Sequence, residues 1–510
     1  MKSDSGATVS VWMDVPPLPS RPPLDRDLRA DVCVVGAGMA GLSTAYLLAK
    51  EGLRVAVLDD GPTAGGETSR TTAHLTNIVD DRYHWIEQVH GREGARIAAE
   101  SHTAAIDAIE GIARAEGIAC DFARLDGYLF APPDATSEEE LEREALAVRR
   151  AGIPATWADR APMEAFETGR CLLFPNQGMF HPLHYLAGVA AAIERERGRI
   201  HGGTRVVAVH HGPPTRVETT SGRTVTADAV VVATNSPINE LIGVHPKQAA
   251  YRTYVIAARV PRGRLLPALL YDTLTPYHYV RLQPLPETDA DWVIVGGEDH
   301  KTGQADDADA RWAALEAWTR ERFPSAGPVE RRWSGQVLEP ADGVALIGPD
   351  KAGSRVFIVT GDSGMGMTHS TIAGLLLSDL IQGRKNPWAK LYDPGRVSLR
   401  ASGELARENL NFVAQYTDYL TGGDVGGVEA IPPGEGAIVR HGLEKIAAYR
   451  DPDGALHEMS AVCTHLGCLV RWNSAEKSWD CPCHGSRFDA TGRVINGPAI
   501  SDLAAKERVR

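Results

Sequence analysis

The 510-residue chain has no apolar run approaching the roughly 20 residues that cross a bilayer. Its opening residues, MKSDSGATVS, hold neither an apolar signal core nor a twin arginine, so the expectation is a cytoplasmic protein. Positive charge is in deficit. The 53 Lys and Arg face 66 Asp and Glu, and the net charge of −13 disfavours nucleic acid and anionic membranes as partners. There is no internal repeat, no low-complexity tract, and no paired-carboxylate or nucleophile–base constellation. Cysteine is scarce. Four of the seven, Cys463, Cys468, Cys481 and Cys483, fall within 21 residues, which is a local cluster and not the framework of a secreted fold. Such a cluster reads first as a metal site.

What is present is a chain 43% apolar, long enough for two to four domains. Residues 1–29 form a Pro-rich arm that reads as irregular. Asp31–Val35 is a buried strand, Met39–Lys50 a helix and Arg54–Asp59 a second buried strand, which makes a βαβ opening. Helical patterns follow over Gly94–Glu116 and Glu138–Ala151 and from His181-Pro182. Short strands are expected at Thr204–Val209, Thr215–Thr219, Val225–Thr226 and Ala229–Ala233. Residues 251–300 alternate as antiparallel strands, notably Tyr277–Leu282 and Trp292–Val295. Val356–Thr360 leads through a glycine-rich turn into an apolar helix over Thr368–Ile381. Glu404–Tyr419 reads as a connecting helix in a 396–423 linker, and from 424 the chain turns to short strands and cysteine pairs.

In that last segment Cys463-Thr464-His465 and Cys481-Pro482-Cys483-His484 are separated by fifteen intervening residues. Thiolate–imidazole pairs on two tight loops suit a small soft-metal centre. A zinc ribbon is one reading, though it more often uses four cysteines. The other is an iron–sulfur centre with two Cys on one iron and two His on the other. The pattern closely resembles the Rieske [2Fe–2S] family over about 424–503, including a proline loop at Asn496-Gly497-Pro498-Ala499. The resemblance implies that Cys463 and Cys481 hold one iron and His465 and His484 the other, with Cys468 and Cys483 as a loop-clamping disulfide. Ser486 matches the serine that bonds a bridging sulfide. Phe488 stands where high-potential members carry a tyrosine, which implies a lower potential.

Near the start, Gly36-Ala37-Gly38-Met39-Ala40-Gly41 follows a strand, opens a helix and precedes Asp59 by eighteen residues from Gly41. Gly36 makes the turn, Gly38 admits a pyrophosphate and Gly41 lets helix and strand pack, while Asp59 suits ribose hydroxyls. The loop Gly65–His74, the strand Val230–Asn235, the segment Asp342–Gly348 and the turn Gly361–Thr368 resemble the D-amino-acid oxidase and glycine oxidase superfamily over about 28–392. That resemblance implies FAD. It places Asp59, Asp60, Thr68, Ser69, Arg70, Thr71, Thr72, Val206, Ala233, Thr234, Gly335, Gly364, Met365, Gly366, Met367 and Thr368 along the cofactor. Arg70 and Gly335 occupy positions where some relatives carry a covalent attachment residue, so the FAD is expected to be non-covalent. His74 is read as an alternative attachment point or a hydrogen-bonding loop residue.

Amino-acid-using relatives often carry an arginine for the substrate carboxylate where this chain has Val337. Arg281 is read either as a substitute anion clamp or as a surface charge. Tyr277 and Tyr279 are candidate walls of an amine pocket or simply core. Trp333 and Gln336 fall near the flavin by resemblance, and His369 is a candidate partner for flavin charge. The expected architecture is an α/β Rossmann-like FAD-binding domain (about 30–90, 170–250, 335–395) with an interleaved antiparallel-sheet substrate domain (about 91–169, 251–334). An all-β Rieske domain follows over 424–510. The combination implies a dehydrogenase that oxidises an amine or amino-acid-like molecule and exchanges single electrons with an external partner. Two alternatives stand: an O₂-using oxidase with a structural Rieske domain, and a redox sensor or electron carrier without a small substrate. The oligomeric state is open.

Overall fold

The computed structural model describes residues 5–16, 18–131, 135–238, 243–442 and 444–506. Residues 1–4 and 17 of the expected arm, and 507–510 of the expected C-terminal domain, lie outside that set.

The β-branched run of Leu28–Val35 is a central strand, buried through its last four residues and parallel to Val55–Leu58 and Thr224–Val232. Arg199–His201 and Val356–Thr360 extend the parallel sheet, and Leu346–Pro349 closes one edge antiparallel. The hairpin Val206–His210 with Thr215–Thr219 attaches to Thr224–Val232. That last strand runs unbroken where two short ones are expected. Helix Met39–Lys50 agrees with the expected bounds. The helix expected from Gly94 starts earlier: Tyr83–Glu116 is continuous apart from Gly91, whose φ of 76° interrupts it.

The second sheet runs Val329–Pro340, Gln248–Pro261, Ala290–Lys301, His278–Pro284, Leu269–Asp272, Ala123–Phe130, Cys171–Met179, His74–Leu75. It is mixed and not wholly antiparallel, because Leu269–Asp272 pairs parallel to Ala123–Phe130. Cys171–Met179, assigned above to a nucleotide-binding segment, is a strand of this second sheet. Its apolar alternation serves either sheet, and only long-range pairing decides between them.

The C-terminal region holds two small antiparallel sheets. One comprises Glu435–His441, Glu444–Arg450 and Leu456–Ser460. The other comprises Arg471–Asn473, Ser478–Asp480, Arg487–Asp489 and Val494–Asn496. They enclose a core of Ile438, Ala447, Met459, Trp479 and Phe488. Trp479 and Phe488 are fully buried, and side chains of this size each contribute about 2–3 kcal/mol when buried. Helix Ser402–Ala414 and the 3-10 turns Gln415–Leu420 lead into this region.

The N-terminal arm is not a loose segment. Val11–Asp14 is a 3-10 turn, Trp12 is fully buried, and its Nε1 donates to the Thr71 carbonyl at 2.5 Å.

Candidate functional site

A long cavity of about 300 Å³ runs from Thr204–Val206 and Asp59–Asp60, past Gly36–Ala40 and Gly65–Thr68, to Tyr271, Tyr277, Tyr279 and Gly364–His369. Gly36 has φ +106°, and a Cβ there would sit 2.3 Å from the Ala233 carbonyl oxygen, so only glycine makes this turn. A Cβ on Gly41 would meet the Gly36 carbonyl at 1.9 Å, which fits a packing role and places Gly41 behind the cavity wall. Asp59 accepts from the backbone of Ala37 (2.5 Å) and Gly61 (2.9 Å) and so braces the turn. The Thr68 hydroxyl accepts from Met39 N at 3.1 Å. The first residues of helices Met39–Lys50 and Gly366–Ile381 both line the cavity, so two positive helix ends point into it. A glycine cradle, an acid at the strand end and two helix N-termini along one elongated cavity fit an FAD.

Of the residues placed along the cofactor, Gly36, Gly38, Met39, Ala40, Asp59, Asp60, Thr68, Arg70, Thr71, Thr72, Val206, Ala233, Thr234, Gly335, Gly364, Met365, Gly366 and Met367 line this cavity. Ser69 and Thr368 turn away from it. The Ser69 hydroxyl donates to the Gly65 and Gly66 carbonyls, and Thr368 Oγ1 bonds His102 Nδ1 at 2.8 Å. Trp333 is fully buried behind the wall and donates to the Arg70 carbonyl.

At the far end, the Tyr277 and Tyr279 rings lie 5.6 Å apart, and Tyr279 Oη bonds Thr253 Oγ1 at 2.9 Å. His74 sits against Tyr271 and Tyr279, with centroids 5.5 Å from each, and burial pushes it down to about 3, so it is a neutral ring. His369 donates through Nδ1 to the Asp362 carbonyl at 2.8 Å, and burial lowers it to about 4. Arg281 is neither a clamp nor a surface charge. It is fully buried, donates to the carbonyls of Thr72, Ala73, Phe180 and Leu282, and lies 5.3 Å over the Trp12 ring. It organises backbone around the arm. An alternating strand pattern cannot tell a cavity-facing arginine from one that binds carbonyls.

The two cysteine–histidine loops come together as the spacing implies. The thiols of Cys463 and Cys481 are both 2% exposed, and the His465 and His484 rings stand edge to face at 5.1 Å. Hydrogen bonding from Cys481, the His465 and Leu466 amides and the Ser486 hydroxyl outweighs burial and brings the Cys463 thiol down to about 7. Cys468 and Cys483 form a disulfide with Cα atoms 6.4 Å apart. Cys468, Cys481 and Cys483 also lie within 4.8 Å of one another, but two of these sulfurs are already joined to each other. Two buried thiols and two imidazoles, with backbone N–H groups aimed at sulfur, fit a [2Fe–2S] centre. A third histidine, His245, packs edge-on against the His465 and His484 rings at 5.0 and 5.9 Å. Nothing in its sequence context marks it.

The cavity and the cluster loops share walls. Val494, Ile495, Asn496, Gly497, Ala499 and Ile500 of the C-terminal domain line the cavity. Gln336 is 3% exposed. Its Nε2 donates to the Gly485 carbonyl at 2.9 Å, and its backbone N–H donates to Glu67 at 2.7 Å. Beside it lies a buried charge network. Glu476 meets Arg70 at 3.0 Å and Arg252 at 3.9 Å, while Asp480 meets Arg487 at 3.1 Å and Arg252 at 3.5 Å. Thr8 of the arm donates to Glu476 at 2.6 Å, and Arg487 donates to the Ser5 carbonyl at 2.7 Å. Burial alone would raise Glu476, yet Arg70, Arg252, Arg487 and Ser334 hold it down at about 2. Arg70 therefore turns its guanidinium to the domain interface, not to a nucleotide.

Comparison with known proteins agrees with this geometry. Residues 31–380 match the FAD dependent oxidoreductase family and residues 423–506 the Rieske [2Fe-2S] domain. A putative Rieske 2Fe-2S iron-sulfur protein of Bacillus subtilis is 31% identical over 98% of this chain and 97% of its own length. A gamma-glutamylputrescine oxidoreductase of Escherichia coli is 27% identical over 71% of this chain and 85% of its own. The crystal structure of glycine oxidase from Geobacillus kaustophilus superposes with a TM-score of 0.58 at 19% identity, covering 72% of this chain and 99% of that one. Among the described residues no helix is long and apolar enough to cross a membrane. The chain belongs to the FAD-dependent oxidoreductase family of the amino-acid-oxidase type and carries a C-terminal Rieske [2Fe–2S] domain.

Proposed function

We propose that this enzyme is a dehydrogenase that oxidises the C–N bond of an amine or amino-acid-like molecule and exchanges single electrons with an external partner through its cluster. The observation that carries the reading is the common wall: Val494–Ile500 of the Rieske domain line the cavity that fits FAD, and Gln336 bridges that cavity to Gly485, next to His484. FAD supplies a two-electron acceptor for a hydride from carbon next to nitrogen, and a Rieske cluster carries one electron at a time. Cys463 and Cys481 are the thiolate ligands in this reading, and His465 and His484 the imidazole ligands. The residues lining the cavity from Gly36 to Met367 hold the FAD.

The chain's own groups do the rest. Tyr277 and Tyr279 wall the reacting end, and neutral His369 fixes the turn before helix Gly366–Ile381 through Asp362. Gln336 holds the two cofactor regions in one register. The relatives named for glutamylputrescine and glycine oxidation support a C–N substrate here. A cytoplasmic location belongs to the same reading, in which Cys33, Cys120 and Cys171 stay as buried thiols.

Anaerobic stopped-flow absorbance tests the proposal. Cluster bleaching that follows flavin bleaching within the turnover time is the expected result. Stoichiometric peroxide in air with an unreduced cluster would overturn it in favour of an oxidase.

A further inference from the structure

We infer that His245 is a positioning residue for the cluster, supplied by the flavoprotein region: its ring keeps water off the His465 and His484 rings and so sets a lower cluster potential. This rests on the ligand assignment made above and is independent of the substrate.

His245 lies within residues 31–380 and outside the Rieske match at 423–506. Its ring stands edge-on to His465 at 5.0 Å and to His484 at 5.9 Å, and those two rings are 5.1 Å apart. The three imidazoles form a compact triangle with one corner from outside the two cysteine–histidine loops. That corner is closed to bulk solvent. His245 is 5% exposed, and its Nδ1 is buried with no hydrogen-bond partner among the described residues.

The seat of the ring is firm. His245–Lys247 is a single 3-10 turn that contains Pro246, whose ring fixes one backbone angle. Lys247 Nζ donates to the carbonyls of Pro394 at 2.8 Å and Arg396 at 2.9 Å. Gln248 Nε2 donates to Thr360 Oγ1 at 3.1 Å, and Val244 on the other side is buried. The Rieske loops press on neighbouring parts of the same region. A Cβ on Gly485 would lie 2.5 Å from Ala250 Cβ, and one on Gly497 would lie 3.2 Å from the Ser236 carbonyl oxygen. Those two contacts are made through glycines, whereas His245 meets the imidazoles themselves.

Charge counting fixes the direction of the effect. Two thiolates and two neutral imidazoles around a [2Fe–2S] core leave the oxidised centre uncharged and the reduced centre with one negative charge. Water stabilises the charged form more than the neutral one. Shutting water out therefore favours the oxidised form and lowers the potential. His465 stays partly exposed, so bulk water stands beside the triangle. Without the His245 ring, a space walled by polar imidazoles would open next to that water, and a polar space of that size fills.

Redox titration of the holoenzyme with EPR detection is the test. His245→Ala is expected to favour the reduced form on the order of tenfold, which is about 59 mV upward for a one-electron couple. Deuterium modulation of the EPR signal in D₂O should deepen in the same variant, because water now reaches the rings. His245→Phe returns a ring of similar outline and is expected to bring both readings back toward those of the native protein. Should His245→Ala lose its cluster, His245→Asn, shorter but still polar, carries the same expectation. An unchanged potential on loss of the ring overturns the inference. So does a shift without deeper deuterium modulation, or a phenylalanine variant that behaves like the alanine one. A native holoenzyme without a Rieske-type EPR signal overturns the ligand assignment, and the inference with it.

Discussion

The Rieske domain is joined to the flavoprotein twice, and the two joints are unlike. The covalent joint is the exposed helix Ser402–Ala414 with its 3-10 turns, in which Leu410 is 71% exposed and the contacts are partly exposed pairs such as Lys301–Glu408 and Arg471–Asp418. The non-covalent joint is a dry network in which Arg70, Arg252, Arg487, Glu476 and Asp480 are each at most 2% exposed. The flavoprotein contributes Arg70, Arg252 and Glu67, and the Rieske domain answers with Glu476, Asp480 and Arg487, so three cations meet three anions. The linker keeps the partner close, while the buried charges fix how it sits, because any other docking strands an ion without water.

The strongest way to break this contrast is Glu476→Ala. It leaves Arg70 and Arg252 buried without their shared partner and should cost about 3–5 kcal/mol, read by denaturant unfolding. Limited proteolysis of that variant should release the C-terminal domain at the linker. Acid should act through the same residue. Glu476 is held near 2 in the folded protein against about 4.5 when free, so its contribution is complete above pH 4.5 and is lost as pH falls from there toward 2. A stability curve flat across that window would contradict the assignment.

Next in size is Gln336→Ala, which leaves the Gly485 carbonyl and the Thr302 hydroxyl without their partner inside the interface. A loss of about 1–3 kcal/mol is expected. Stopped-flow traces should show cluster reduction slowed by a larger factor than flavin reduction. Phe488→Tyr is smaller still. A new hydrogen bond toward the cluster is worth about 1 kcal/mol, or about 40 mV upward for a one-electron couple, read by redox titration with EPR detection. Inserting Gly-Ser between Gly422 and Gly423 should change stability by under about 0.6 kcal/mol, since lengthening an exposed connection costs little. A large effect there would place the orienting energy in the linker.

The features that could be read directly share one property: they are contiguous. Gly36–Gly41 with Asp59, and the loops at Cys463–His465 and Cys481–His484, carry their chemistry in short spacings. The Cys468–Cys483 pairing and the expected bounds of Met39–Lys50 also agree with the structure. What could not be read is assembled across the chain. Arg70 and Glu476 are 406 residues apart, and His245 reaches His465 and His484 from a distant segment of the chain. Arg281 misled for the same reason, because its carbonyl partners lie on other segments. Local pattern reports which face a residue lies on, and long-range pairing decides what that face meets.

The seating of the N-terminal arm has a consequence for how the chain is made. Ser5 and Thr8 close over Arg487 and Glu476, so residues made early complete their contacts on residues made 482 and 468 positions later. Until residues 476–487 have left the ribosome, Arg70 and Arg252 lack their anions and the arm lacks its C-terminal seat. The flavoprotein therefore cannot close its own wall early. Its final shape waits for the Rieske domain, and the two halves reach their closed form together.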